Sequence, residues 1–155
     1  GVIPEDHWTQ DKEIGGGRIL GEACHFVDLL RFLAASKIIG ASSIKLNTKT
    51  KDTCSISLQF EDGSIGSVHY FSNGSSKIPK ERLDIYSRGS VLTLDNFRKM
   101  RGYDWPGFRR QNLFNQDKGH DQCVIRFLEG VDKNISPICL DELFEVSAAC
   151  IEVSN

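Results

Sequence analysis

"TCSISLQFEDGSIGSVHYFS" (residues 53–72) carries the clearest structural signal in the chain. Cys54, Ile56, Leu58 and Phe60 alternate with Thr53, Ser55, Ser57 and Gln59. That period of two gives a strand one apolar and one polar face. Asp62-Gly63 suits a tight hairpin turn, and "IGSVHYFS" resumes as the return strand. The alternation recurs on either side, in "SIKLNTK" (Ile44, Leu46), in "RLDIYS" (Leu83, Ile85) and in "SVLTLD" (Leu92, Leu94). Arg88-Gly89 turns between the last two. Four to six strands are predicted, mostly antiparallel and in meander order.

Farther out the period lengthens. Between Arg18 and Ala35, the apolar residues Ile19, Phe26, Leu29, Leu30 and Leu33 recur at helical spacing, and Gly40 reads as a break after "SKII". "FRKMRGYDWPGFRR" reads as a loop rich in arginine and aromatic residues. "KGHDQCVIRFLEGV" then sets Cys123, Val124, Phe127, Leu128 and Val131 on one side of a helix that stops near Gly130. After Pro137, "LDELFEVSAACIEV" is a last helix with Asp141 as N-cap. Helix, run of strands, two helices: the order predicts an α+β fold, an open sheet covered by helices on one face. The polar strand residues are Ser, Thr, Gln and His rather than Lys and Glu, so the other face meets either water or another subunit.

Size and composition narrow the function. A chain of 155 residues can bury one core of its own. A formal net charge of −2 offers no basic face for nucleic acid. No apolar run approaches the roughly 20 residues that cross a bilayer, so no membrane partner is expected. Five cysteines without CxxC pairing fit reduced thiols in a cytoplasmic protein and speak against zinc. Cys54, Cys123 and Cys150 are expected as small buried hydrophobes. The opening "GVIPEDHW" and the ending "ACIEVSN" both read as cut from a longer protein.

Chemistry concentrates in "GGGRILGEACHFVDLLRFL" (residues 15–33). On a helix of 3.6 residues per turn, Glu22, His25 and Asp28 stand three apart, with Cβ atoms about 5–6 Å from each other. Flanking carboxylates favour a protonated imidazole and fix its tautomer, which suits a group that passes a proton to and from a hydroxyl. A structural histidine is the other reading of that spacing. The glycines let backbone approach a ligand with no Cβ between. Glu22-Ala23-Cys24-His25 also has the ExxH spacing of di-iron bundles, but the further glutamates on facing helices are missing, and no metal is expected. Arg18 either pairs with Glu22 at i+4 or meets a substrate phosphate or carboxylate. His7 and Trp8 could line the same cleft, Trp8 as a sugar-stacking ring or as an apolar anchor. His69 reads as a sheet-face residue and His120 as a helix-start residue that caps or packs. Arg101, Arg109 and Arg110, interleaved with Tyr103, Trp105 and Phe108, suit either an anion contact or a solvated loop.

The same stretch resembles the signature that opens the C-terminal domain of the Gfo/Idh/MocA oxidoreductases. There a glycine pair or triplet precedes Asp-x-Gly-x-His-x-x-Asp on a helix. Gly15 to Gly17, His25 and Asp28 match it position by position, while the first Asp falls on Gly21, beside Glu22, and the motif glycine on Ala23. The resemblance extends through "VIPEDHW", "FEDGSIGSVHYFSNGSSKIPKERLDIY", "LDNFRKMRGY" and "DKGHDQCVIRFLEGV". It is strongest toward the bi-domain, polysaccharide-biosynthesis branch. It implies an open, mainly antiparallel sheet with helices on one face, as in dihydrodipicolinate reductase-like C-terminal domains. Residues 1–155 would be one substrate-binding and oligomerisation domain, and a Rossmann domain outside this chain would bind NAD or NADP. The implied substrate is a sugar, cyclitol or nucleotide-sugar. The implied catalytic residues are His25, as general acid/base, and Glu22; Gly16, Gly17, Arg18, His7 and Trp8 would contact substrate. The resemblance further implies a homo-oligomer through the sheet face. No strand–GxGxxG–helix unit is present, so the chain alone is expected to be inactive. The alternatives are a non-catalytic self-association module using the sheet face and, within the family, a redox-assisted glycosidase or lyase.

Overall fold

The computed structural model describes residues 2–155. In chain order the elements are a 3₁₀ turn Trp8–Gln10, a π-helical turn Ile19–Ala23, α1 Cys24–Ala34, β1 Ile38–Lys45, β2 Cys54–Phe60, β3 Ile65–Tyr70, β4 Arg82–Ser87, β5 Ser90–Asp95, β6 Lys99–Tyr103, β7 Arg110–Asn112, α2 His120–Lys133 and α3 Leu140–Ser154. The fold is α+β and its strand pairs are all antiparallel. The meander comes in two pieces, β1-β2-β3 and β4-β5-β6-β7, seven strands where four to six were expected. The chain correspondingly divides into two compact units: residues up to Gly74 together with Ile138–Asn155, and Ser75–Pro137.

In the first unit the apolar alternates of β2 are all but inaccessible, with Cys54, Ile56, Leu58 and Phe60 at most 2% exposed. Val68 and Tyr70 of β3 join them from the sheet, and Ile19, Ala23, Val27, Val146, Ala149, Cys150 and Val153 from the helices. α3 lies against β1, α1 and the π-turn, so the helical cover sits on the apolar face of the sheet. Register puts Ser57 between Ser42 and Ser67, and Ser55 between Ile44 and His69. The face away from the helices is therefore rich in serine, with Ile39, Ile44 and Ile65 exposed around it. Gly40 does not break the chain before this sheet. It lies within β1 at a bulge, where the register shifts between Ile38 and Gly40, so it bends the strand instead of ending it. Glu145 of α3 ties the layers together, its Oε1 accepting from the Ile38 backbone N–H at 2.6 Å and from Arg31 Nε at 2.7 Å.

The second unit pairs β4 to β7 in sequence order. The segment expected as an arginine-rich loop contains all of β6 and the start of β7. Its alternation was hidden because Lys99, Arg101 and Tyr103 occupy one side of β6, with only Met100 and Gly102 on the other. α2 runs through Gly130 to Lys133 and is ended by Asn134 in the left-handed region at φ 51°. Among the described residues no side chain of α2 is buried, so Cys123, expected inside, is exposed, as are Val124, Phe127, Leu128 and Val131. Back in the first unit, α3 takes Cys139 as its N-cap, which places Asp141 in the first turn instead, beside the positive end of the helix. No helix of the described residues is long and apolar enough to cross a membrane.

Candidate functional site

Each glycine of the run before α1 has its own reason. A Cβ on Gly15 would sit 2.5 Å from the Trp8 carbonyl oxygen and 2.6 Å from Thr9 Cα, so the 3₁₀ turn can lie on the chain only there. Gly16 and Gly17 follow with φ of 70° and 82°, the left-handed region where a side chain is strained. Nothing lies within 4 Å of where a Cβ of Gly17 would stand, which leaves bare backbone facing open space. The 3₁₀ turn brings His7 and Trp8 to this place. His7 Nδ1 caps the turn, 2.9 Å from Thr9 Oγ1 and 3.3 Å from the Thr9 amide that donates to it, and the His7 and Trp8 ring centroids are 5.8 Å apart. Trp8 is 61% exposed.

The chain then enters a π-helical turn, Ile19–Ala23, before α1. π-turns are rare and concentrate at functional sites. Arg18 stands at its N-cap with only 5% of its surface exposed, in the midst of an ionic cluster. Its Nη2 donates to both carboxylate oxygens of Glu22 at 3.3 and 3.1 Å, and its Nη1 lies 3.7 Å from Asp52 Oδ2. The guanidinium also rests 5.4 Å from the Tyr70 ring centroid, and the Tyr70 hydroxyl donates to Glu22 Oε2. Asp52 accepts in addition from Gln10 Nε2 at 3.1 Å and from Thr50 Oγ1 at 2.8 Å. One buried cation thus joins the π-turn to the open end of the β2–β3 hairpin, where Asp52 and Tyr70 lie, and through Asp52 to Gln10 of the 3₁₀ turn.

The electrostatics follow from those contacts. Burial alone would raise the Asp52 carboxyl, but hydrogen bonds from Gln10, Thr50 and Ser72 outweigh it and hold it below the ordinary carboxylate range. Burial pushes the Tyr70 phenol up, the hydrogen bond to Glu22 adds to that, and Arg18 works against both. Burial likewise raises the thiols of Cys24, Cys54 and Cys150, the last to about 11, which disfavours their thiolate forms.

His25 occupies the first turn of α1, exposed. Among the described residues no side chain makes a hydrogen bond or ion pair with its imidazole, so the expected carboxylate on each side is not what holds it. For Glu22 the reason is local. A π-turn takes more residues per turn than the α-helix assumed from spacing, and the Glu22 carboxylate is committed to Arg18 and Tyr70. The structure brings Gly16, Gly17, Arg18, Glu22, His7 and Trp8 into one neighbourhood around the start of α1. It adds Tyr70, Asp52 and Gln10, which spacing did not reveal. Tyr70 reads simply as an apolar alternate of its strand, and no local pattern links residue 52 to residue 18. His69 is on the open sheet face, its Nδ1 3.0 Å from Ser55 Oγ.

The family model of the GFO/IDH/MocA C-terminal domain matches residues 2–91. Among solved structures, levoglucosan dehydrogenase in complex with NADH superposes with a TM-score of 0.76 at 14% identity, over 97% of this chain and 51% of that one. UDP-N-acetylglucosamine 3-dehydrogenase from Acidithiobacillus ferrooxidans gives 0.71 at 15% identity, over 92% and 47%. Aldose-aldose oxidoreductase from Caulobacter crescentus, complexed with glycerol, gives 0.70 at 13% identity, over 97% and 50%. This chain spans about half the length of each of these structures. No curated protein matches it in sequence.

Proposed function

We propose that the chain, which belongs to the GFO/IDH/MocA family by its C-terminal domain, is the substrate-binding and proton-transferring part of an NAD(P)-dependent dehydrogenase acting on a sugar or nucleotide-sugar hydroxyl. In this reading residues 1–155 act as one domain beside a nucleotide-binding domain outside them. The observation that carries it is the placement of His25: exposed on the first turn of α1, behind a π-turn and a side-chain-free approach at Gly16 and Gly17. His25 takes the hydroxyl proton as the alcohol is oxidised. Trp8 and His7 offer a ring surface for the sugar, and Arg18 and Glu22 hold the π-turn against the sheet so that His25 keeps its aim. Glu22 then serves through position, since its carboxylate is already engaged.

The described residues do not fit a dinucleotide cradle. The glycine run follows a 3₁₀ turn and opens a π-turn, whereas a pyrophosphate site needs a strand leading into an α-helix N-terminus. The nicotinamide cofactor, which supplies the hydride acceptor when bound, is accordingly assigned to the other domain. The solved relatives support the substrate class by their own names, two acting on sugars and one on a nucleotide-sugar. The five free thiols suit the cytoplasm.

In the intact enzyme, His25→Asn is expected to lower kcat about 10²–10⁴-fold for the proton-transfer step, with thermal stability unchanged. Unaltered turnover refutes the assignment, and substrate consumption without net NADH formation points instead to a redox-assisted glycosidase or lyase. A second reading has its own observation: Ile39, Ile44, Ile65 and Phe71 stand exposed together with the serine-rich face of β1-β2-β3. That face suits self-association with a second copy, either alongside catalysis or, in a non-catalytic module, instead of it. Charged substitution at Ile44 that leaves the oligomeric state unchanged argues against it.

A further inference from the structure

The second unit carries a charge imbalance that its own residues do not resolve. Register aligns Asp84, Thr93, Arg101 and Arg110 in one row across β4, β5, β6 and β7. Side chains of one row share a face, so Arg82, Asp84, Asp95, Lys99, Arg101, Tyr103 and Arg110 belong to the same side of this sheet. Most of its charges are matched. Arg82 Nε donates to Asp84 Oδ2 at 3.1 Å, and Asp95 is the direct cross-strand partner of Lys99. Arg101 and Arg110 are left over. They stand directly opposite each other, both exposed, and among the described residues neither makes an ion pair. Directly opposed strand residues have Cβ atoms about 5 Å apart, and like charges there repel.

Two features make the pair a receptor instead of a random surface excess. The Arg101 guanidinium is stacked on Tyr103, 4.7 Å from the ring centroid, which restrains a side chain that would otherwise be mobile. The neighbouring turn also leaves both arginines uncovered. The turn Trp105–Phe108 folds over the opposite side of β6, where a Cβ on Gly102 would lie 2.6 Å from the Phe108 carbonyl oxygen and 2.8 Å from Trp105 Cβ. The Thr93 hydroxyl next in the row adds a donor.

We propose that Arg101 and Arg110 form a clamp for a phosphate-bearing ligand, with Tyr103 and Thr93 as its walls. Two guanidinium forks about 5 Å apart at their roots match the oxygens of a phosphate or diphosphate group, and the bound anion removes the repulsion between them. The clamp belongs to the second unit and does not rest on the reading of His25.

The test is titration of the intact protein with inorganic pyrophosphate at low ionic strength, together with thermal unfolding. Arg101→Gln and Arg110→Gln should each weaken pyrophosphate binding at least tenfold, Arg82→Gln should change it less than twofold, and added salt should weaken it in the wild type. Without ligand, Arg110→Gln should raise the melting temperature, because a like-charge pair has been relieved; a purely structural arginine would lower it. ADP binding more tightly than pyrophosphate identifies a nucleotide as the bearer, and equal binding identifies the phosphates alone; both uphold the clamp. Binding that survives both substitutions, a melting temperature lowered by Arg110→Gln, or association with phosphatidylglycerol vesicles in the absence of any pyrophosphate binding overturns it.

Discussion

The two units are built from the same pattern, strands alternating apolar and polar residues, yet only one of them closes a core. Among the described residues, every buried one lies in the unit of β1 to β3 with α1 and α3. In Ser75–Pro137 the corresponding apolar set, Leu83, Ile85, Leu92, Leu94 and Met100, is only partly buried, and α2 keeps Phe127, Leu128 and Val131 exposed. Alternation specifies a strand; burial additionally needs something to cover it. The first sheet has two helices that supply this cover, and Tyr70 at its end joins Glu22 and Asp52 around the buried Arg18. In the second unit it is the apolar residues of α2 and the arginines of β6 and β7 that stand exposed.

The largest expected difference between the units is in stability. Leu58→Ala removes a side chain that is 1% exposed and should cost about 3 kcal/mol, the transfer term plus a cavity that the flanking helices cannot fill. Leu92→Ala, on a half-buried position, should cost about 1 kcal/mol or less. Urea unfolding of the two variants measures both. Equal losses would mean that the second unit is as tightly packed as the first, and the contrast fails.

A smaller effect sharpens the contrast through pH, since the Arg18 cluster belongs to the packed unit. Asp52 titrates below its unfolded value of about 4, so its contribution is full above that pH and is lost as pH falls through the lower folded value. Tyr70 is held above its ordinary value of about 10. Beyond pH 10 the unfolded chain therefore ionises while the folded one does not, and stability falls as pH rises. Asp52→Asn should flatten the acid limb of the stability profile and Tyr70→Phe the alkaline one. Stability profiles in which neither limb moves would show that the cluster is not coupled to folding.

The same contrast decides what could be read from sequence. β2, β4, β5 and α3 were legible because in each the apolar period agrees with one dominant face, and β3 because Asp62-Gly63 turns the chain back onto β2. β6 was not: Lys99, Arg101 and Tyr103 against Met100 and Gly102 leave no hydrophobic alternation to see, and pairing with β5 and β7 decides the conformation. The helix at Arg18 to Ala35 was legible as a helix but not as a π-turn followed by α1, because one extra residue in a turn does not disturb a pattern of five apolar positions. That small change had the larger consequence for the site. It sends Glu22 to Arg18 and Tyr70 and so away from His25, while Asp28, three residues on within the regular turns of α1, makes no hydrogen bond to the imidazole either. Tyr70 lies 48 residues from Glu22 and Gln10 lies 42 residues from Asp52, separations that no local motif encodes.

The finest distinction is at the helix ends, where both units use the same device with different residues. α1 ends on Ala35 at φ 49° and α2 on Asn134 at φ 51°, each donating its backbone N–H to carbonyls of the preceding turn. The left-handed conformation costs an alanine about 1 kcal/mol because its Cβ crowds the following carbonyl, while asparagine tolerates it better through local hydrogen bonding. Ala35→Gly should thus raise stability by about 1 kcal/mol, less what the freer unfolded glycine gives back, and Asn134→Gly by no more than a few tenths. If Ala35→Gly is neutral, the strain at the end of α1 has been relieved by its surroundings. The helix would then be held by Glu145 bridging Arg31 and the Ile38 amide, with little dependence on its own terminus. A gain at Asn134 matching that at Ala35 would instead show that cap chemistry, and not the cover over each helix, governs how firmly its end is fixed.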